Sequence, residues 1–122
     1  MLRLAINGYG RIGRSVLRAL YESAHRQHLQ IVAINELADA RTVAHLTRYD
    51  STHGRFGEEV LEQKPGLSIA GDAIVLSRQE SIQDLDWAAQ DIDVVLECTG
   101  VLANREAAQQ HLAKGAGRVL FS

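Results

Sequence analysis

The stretch Leu2-Arg3-Leu4-Ala5-Ile6-Asn7-Gly8-Tyr9-Gly10-Arg11-Ile12-Gly13-Arg14 decides the fold. Leu2 to Ile6 is a short apolar run stopped by Asn7-Gly8, the pattern of a buried strand. Immediately afterwards Ile12, Val16, Leu17, Leu20 and Tyr21 recur at helical spacing, which predicts an amphipathic helix from about Arg11 to Ser23. A strand that turns through three glycines into a helix is the start of a βαβ unit.

Working outward, Ile31-Val32-Ala33-Ile34 reads as a second buried strand, and Asp39 as the cap of a helix carrying Val43, Leu46 and Thr47. Val60-Leu61, Leu67-Ser68-Ile69 and Ala73-Ile74-Val75-Leu76 are short β-like pieces separated by Pro65-Gly66 and Gly71-Asp72, which read as turns. Ile92-Asp93-Val94-Val95-Leu96 is a third parallel-type strand. A helix from about Asn104 to Lys114 follows, closed by Gly115 in a left-handed cap, and Arg118-Val119-Leu120-Phe121 is the last strand. This alternation predicts an α/β, Rossmann-type doubly wound sheet, mostly parallel, with a small antiparallel excursion in the middle. The 122 residues amount to one domain.

In that context the glycine turn is a candidate dinucleotide site. Gly8 permits the tight turn, Gly10 lets a diphosphate approach the backbone, and Gly13 lets the helix pack on the sheet. The amides of Arg11 and Ile12 then point at the phosphates, assisted by the helix dipole. The second strand ends at Asn35-Glu36, about twenty residues further on, where an acidic group accepts from the adenosine ribose hydroxyls and repels a 2′-phosphate. Glu36 therefore favours NAD over NADP. At the end of the third strand, Thr99 and Gly100 are placed to line the path to the nicotinamide, and Ser122 is placed likewise at the end of the last strand.

Three segments carry a family resemblance. Ala5 to Arg14 resembles the opening of the glyceraldehyde-3-phosphate dehydrogenase family, Tyr49-Asp50-Ser51-Thr52-His53-Gly54-Arg55-Phe56 a second stretch of it, and Glu97-Cys98-Thr99-Gly100-Val101 a third. Within the family, Val32 to Ala40 and Tyr21-Glu22-Ser23 are more similar to the erythrose-4-phosphate dehydrogenase branch, since the glycolytic branch usually has Asp where Glu36 stands. The resemblance implies an NAD-dependent aldehyde dehydrogenase acting on a sugar-phosphate aldehyde: a cysteine thiolate attacks, a histidine assists, hydride passes to NAD, and a thioester is released by phosphate or by water. In the erythrose-4-phosphate branch the product, 4-phosphoerythronate, serves pyridoxal phosphate synthesis. It further implies a homotetramer, and it places the catalytic cysteine and histidine in segments beyond Ser122. The chain is thus expected to be a dinucleotide domain that stops before its last strand, without the catalytic domain and with an uncovered edge prone to pairing. A glycolytic dehydrogenase and a non-catalytic NAD-binding module are the alternatives.

Other residues bound these expectations. The single cysteine excludes an internal disulfide and suits a reducing, cytoplasmic location. Cys98, at the end of a buried strand, reads as a small hydrophobe and not as a nucleophile. His53 reads as structural, and His25, His28, His45 and His111 as surface or groove residues. No metal-ligand spacing is present. A formal charge of −2 without a basic block argues against nucleic acid, and no apolar run reaches the length of a membrane helix. On the adenine side the family tends to carry an Arg where Glu80 stands here, with Arg78 two residues earlier.

Overall fold

The structure is a computed structural model that describes residues 1–50, 54–100 and 104–122. Its main strands are β1 (Leu2–Asn7), β2 (Leu29–Asn35), β5 (Val60–Gln63), β6 (Gly66–Ile69), β7 (Asp72–Ser77), β8 (Val94–Glu97) and β9 (Arg118–Phe121). They form one seven-stranded sheet in the order β5-β6-β7-β2-β1-β8-β9. A separate two-stranded ladder joins β3 (Tyr49–Asp50) to β4 (Gly54–Arg55). The helices are α1 (Arg11–Tyr21), α2 (Ala40–Arg48) and α3 (Arg105–Ala113).

β1 is the pivot. It pairs in parallel with β2 on one side and with β8 on the other. The chain winds outward from β1 through β2 to β7, then returns to the opposite side for β8 and β9. The direction of winding therefore reverses between β1 and β8, and the carboxyl ends of these strands form the crevice where a doubly wound sheet receives ligands.

The faces are covered differently. Leu4, Ile6, Leu17, Ile31, Ile34, Val43, Ile69 and Ile74 build the core beneath α1 and α2. Ala5, Val32, Val95, Trp87, Ile92 and Ala107 build a second core beneath α3. Side chains alternate along β1, so Leu4 and Ile6 enter the first core and Ala5 the second.

The antiparallel excursion is present but is not a separate patch. β6 is antiparallel to both β5 and β7, while β7 is parallel to β2, so the excursion extends the main sheet. Its turns sit one residue earlier than the sequence suggests. Lys64 and Pro65 form the first, and Gly66 already pairs with Gln63 and Val75. Ala70 and Gly71 form the second, both with positive φ (51° and 87°), the combination that two-residue hairpins favour.

Helix boundaries follow the expected chemistry. The Asp39 carboxylate accepts from the Thr42 N–H at 2.8 Å, and Asn104 caps α3 by accepting from Ala107 N–H at 2.8 Å. α3 ends at Gly115 (φ 109°), whose N–H donates to Leu112 O while Ala116 N–H donates to His111 O, a Schellman arrangement. α1 stops two residues before the expected Ser23, and its buried face includes Arg18, which hydropathy does not suggest. Arg18 is tolerated there because its guanidinium donates to the carbonyls of Thr47, Arg48 and Gly54 and lies 5.2 Å over the Phe56 ring. β8 runs from Val94 to Glu97 instead of from Ile92, since a 3-10 turn at Ala88–Gln90 and Asp91 in the left-handed region (φ 52°) still steer the chain just before it.

Gly66 offers a test of the hairpin packing. A Cβ there would overlap the Ile74 carbonyl oxygen, a backbone atom that cannot swing aside. Gly66→Ala is expected to destabilise the chain by about 3 kcal/mol, the upper range for a single substitution. Denaturant unfolding monitored by Trp87 fluorescence checks this, and an unchanged midpoint contradicts it.

Candidate functional site

The glycine turn lies at the carboxyl end of β1 and is tied down on several sides. Gly8 N–H donates to Asn35 O at 2.9 Å, and Tyr9 N–H to Glu36 Oε1 at 2.9 Å. The Tyr9 ring is buried. Its hydroxyl meets Thr47 Oγ1 at 2.7 Å, and because that Oγ1 donates to Val43 O, the tyrosine is the donor. Burial pushes the Tyr9 phenol up to about 12, against weaker opposing effects from Thr47, Arg14 and Arg18, so it stays protonated. The turn is thereby fixed to β2 and to α2 before any ligand arrives.

The three glycines have distinct surroundings. Gly8 has φ 92°, and a Cβ on it would stand 2.7 Å from the backbone nitrogen of Thr99, so the ends of β1 and β8 approach each other as only glycine allows. A Cβ on Gly13 would meet Gly8 O at 2.6 Å and Ile6 Cγ2 at 3.3 Å, so α1 packs directly on the strand end. A Cβ on Gly10 would meet nothing within 4 Å. That position is open on its protein side.

Gly10 caps α1 without a side-chain bond, and Arg14 N–H takes its carbonyl. The amides of Arg11 and Ile12, both exposed, donate to no group among the described residues. Unmatched donors at the positive end of a helix suit an anion.

A groove of about 450 Å³ lies against this turn. It is lined by Asn7, Gly8, Tyr9 and Gly10 from the end of β1 and the turn, by Asn35, Glu36 and Leu37 from the end of β2 and just beyond, by Gln79 and Glu80 after β7, and by Cys98 and Thr99 after β8. Of the residues singled out from the sequence, Gly8, Gly10, Asn35, Glu36 and Thr99 meet in the groove. Arg11, Ile12 and Gly13 follow Gly10 in the first turn of α1 and are not among the lining residues. Gly100 (φ 78°) follows Thr99 in an exposed turn, and Ser122 lies one strand further out, its N–H on Glu97 O at 3.1 Å. His53 and Val101 fall outside the described residues. Arg78 is not among the lining residues but donates to the O of one of them, Leu37, at 3.1 Å, while Gln79 and Glu80 line the groove.

Glu36 is neither a solvated loop charge nor a helix-start charge. Its two oxygens accept from Tyr9 N–H and from Ala38 N–H (3.0 Å), and each keeps a lone pair for a further donor. Asn35 differs. Its Nδ2 donates to Asn7 Oδ1 and Gln79 O, while its Oδ1 accepts from Ser77 Oγ and Gln79 N–H. The Asn35 amide is fully engaged and shapes the groove.

That engagement belongs to a buried polar chain for which the sequence reading assigned no role. Asn7 Nδ2 donates to Glu97 Oε1 at 2.8 Å. The same oxygen receives His111 Nε2 at 2.8 Å, and Glu97 Oε2 receives Thr99 N–H at 3.1 Å and Thr99 Oγ1 at 2.6 Å. Trp87 Nε1–H donates to His111 Nδ1 at 3.0 Å. An indole nitrogen can only donate, so Nδ1 is bare and the proton sits on Nε2. His111 is neutral and Glu97 is the anion. Burial raises the Glu97 pKa, but the donors His111, Thr99 and Asn7 together outweigh it and hold the carboxyl below its usual range.

His111 thus corrects the expectation of a surface or groove histidine: it is completely buried, on the face of α3 that also buries Ala107. His28 and His45 are exposed. A signal for the chain was present in the sequence. β1, β2, β7 and β8 each end in a polar residue after an apolar run, and these residues fall in register: Asn7 with Asn35 and Glu97, Asn35 with Ser77. Burial raises the Cys98 thiol, which keeps it protonated and a poor nucleophile. Among the described residues no group of three His, Cys, Asp or Glu could hold a metal ion, and no helix is long and apolar enough to cross a membrane.

Gly8 and Gly10 should respond to very different extents to the same added methyl. Gly8→Ala combines a left-handed φ with a backbone overlap and is expected to cost about 3 kcal/mol or more. Gly10→Ala meets only open space and should cost no more than about 1 kcal/mol, the difference in helix-cap preference. Paired unfolding curves separate the two, and equal losses contradict the geometry.

The family model described as the glyceraldehyde 3-phosphate dehydrogenase NAD-binding domain matches residues 2–105, which spans the glycine turn, Glu36 and the Glu97–Thr99 wall. The parallel order β7-β2-β1-β8-β9, the open helix N-terminus and the acidic wall fit that assignment. The chain belongs to the NAD-binding domain of the glyceraldehyde 3-phosphate dehydrogenase family, an oxidoreductase family, and its cofactor is NAD.

Proposed function

We propose that the groove holds NAD with its diphosphate over Gly8, Gly10 and Gly13, taken by the amides of Arg11 and Ile12. The adenosine ribose lies at Glu36, and the nicotinamide end runs toward Thr99 and Gly100, with Asn35 shaping the floor and Ser122 continuing that wall. The observation that carries this is the open space at Gly10 beside two unmatched helix amides and a carboxylate with spare lone pairs. Donors there match the diphosphate, and acceptors match the ribose. The Glu36 charge opposes a 2′-phosphate, which sets the preference for NAD over NADP.

NAD supplies a hydride acceptor. In the enzyme that carries this domain, the substrate is a sugar-phosphate aldehyde, most closely the D-erythrose 4-phosphate of the branch that residues Val32 to Ala40 resemble, with 4-phosphoerythronate as product. Cys98 lines the groove, but burial raises its thiol and keeps it protonated, so it is not the nucleophile. The thiol and the histidine of that reaction belong to segments other than these 122 residues. A homotetramer in the cytoplasm completes the proposal.

Titration calorimetry of the chain with NAD and NADP tests the cofactor geometry. NAD should bind at least tenfold more tightly, and Glu36→Ala should narrow the gap by weakening NAD. Absence of binding, or tighter NADP, overturns the assignment of Glu36. For the substrate, turnover by the enzyme should favour erythrose 4-phosphate. Much faster turnover of glyceraldehyde 3-phosphate instead assigns the glycolytic branch.

A further inference from the structure

His111 has no access to the groove, yet it sits two hydrogen bonds from its wall. Nε2 bonds Glu97 Oε1, and the other oxygen of that carboxylate bonds both the N–H and the hydroxyl of Thr99, which lines the groove. Glu97 Oε1 also takes Asn7 Nδ2, and Asn7 lines the same groove. We propose that His111 is a positioning residue for NAD: held by Trp87 in its Nε2–H form, it fixes the Glu97 carboxylate, which sets the Thr99 wall and the Asn7 floor against the cofactor. The inference rests on the NAD site proposed above.

The chemistry is that of a carboxylate with four donors around it, two on each oxygen. Removing one leaves the other three to repack. Asn7 can follow the loosened oxygen, and Thr99 rotates with the carboxylate plane. Among the described residues the titratable groups facing Glu97 are His111 from α3 and Cys98, the next residue along the chain. β1 presents the neutral Asn7, and the neutral Ser122, just after β9, meets the Glu97 backbone O. With His111 in place the carboxyl stays ionised well into acid, so affinity for NAD should be flat from pH 8 to pH 5.5. Without that donor, burial raises the carboxyl, and affinity should fall as pH drops across the same interval.

The test uses the whole chain, NAD as the probe, and calorimetry across pH. His111→Leu should weaken NAD at least fivefold at pH 8 and further at pH 5.5. His111→Gln presents an acceptor to Trp87 and a donor to Glu97 on one amide, and should bind within about twofold of wild type with a flat profile. If the Leu variant does not fold, Glu97→Gln takes its place. It keeps the shape but, whichever way the amide turns, sets an NH2 against donors, those of Thr99 on one side or those of Asn7 and His111 on the other, and should also lose at least fivefold. Wild-type affinity and a flat profile in the Leu variant, or wild-type affinity in the Glu97 variant, overturn the proposal.

A measurement on the unaltered chain does not depend on folding of any variant. NAD should shift the NMR signals of the His111 Nε2–H and the Trp87 indole N–H, although neither residue lines the groove. Unmoved signals in the presence of bound NAD overturn the positioning role. No NAD-induced shifts anywhere in the spectrum would instead count against the NAD site itself.

Discussion

The Glu97 carboxylate is the constraint around which the crevice is organised. It is an ionised group buried at the end of a parallel strand, where removal from water costs several kcal/mol. Four donors meet it, and a hydrogen bond to a charged group contributes about 1.5–3 kcal/mol. Together these offset the burial. The donors come from three places: Asn7 at the end of β1, His111 on α3, and Thr99 just beyond β8. One charge therefore sets the separation of two strands, the depth of a helix and the first turn of a loop.

The chain of amides carries the same constraint further across the sheet. Asn7 passes it to Asn35, and Asn35 to Ser77 and Gln79. Strand ends that would otherwise splay with the sheet's twist are held in line, and they are the edge of the groove. Gly8 then completes the junction, because the approach of β1 to Thr99 leaves no room for a Cβ. In the proposed cofactor site most polar groups are spent on one another, and a few are left unspent: the amides of Arg11 and Ile12 and the free lone pairs of Glu36.

The glycine turn, the order of strands and helices, the Asp39 cap and the start of α3 near Asn104 were legible in the sequence. Each depends on local chemistry: apolar runs, a carboxylate or amide at a helix start, a glycine past a helix end. The burial of Arg18 was not legible, for a different reason. Its burial depends on carbonyls some thirty residues away, and no local pattern reveals those. His111 was misread because a polar residue on an otherwise ordinary helix looks solvated. Only the partners on β8 and at Trp87 make its burial possible. The first hairpin turn shifted by one residue because Gly66 was read as part of a bend, whereas its missing side chain serves a close approach between strands. Long-range polar pairing was the part that local reading could not reach, although the polar residue ending each of four strands was its visible trace.

Acid unfolding tests the organising role of Glu97 most directly. A carboxyl held below its usual range contributes stability that is complete above the ordinary glutamate value of 4.5 and is lost as pH falls through its lower folded value. Denaturant unfolding of the wild-type chain and of Glu97→Gln should be followed from pH 7 to pH 3. The wild type should be clearly more stable at pH 7, and the two curves should converge as the solution becomes acidic. Parallel curves with a constant gap, or no gap at pH 7, would contradict an ionised Glu97 as the centre of the fold.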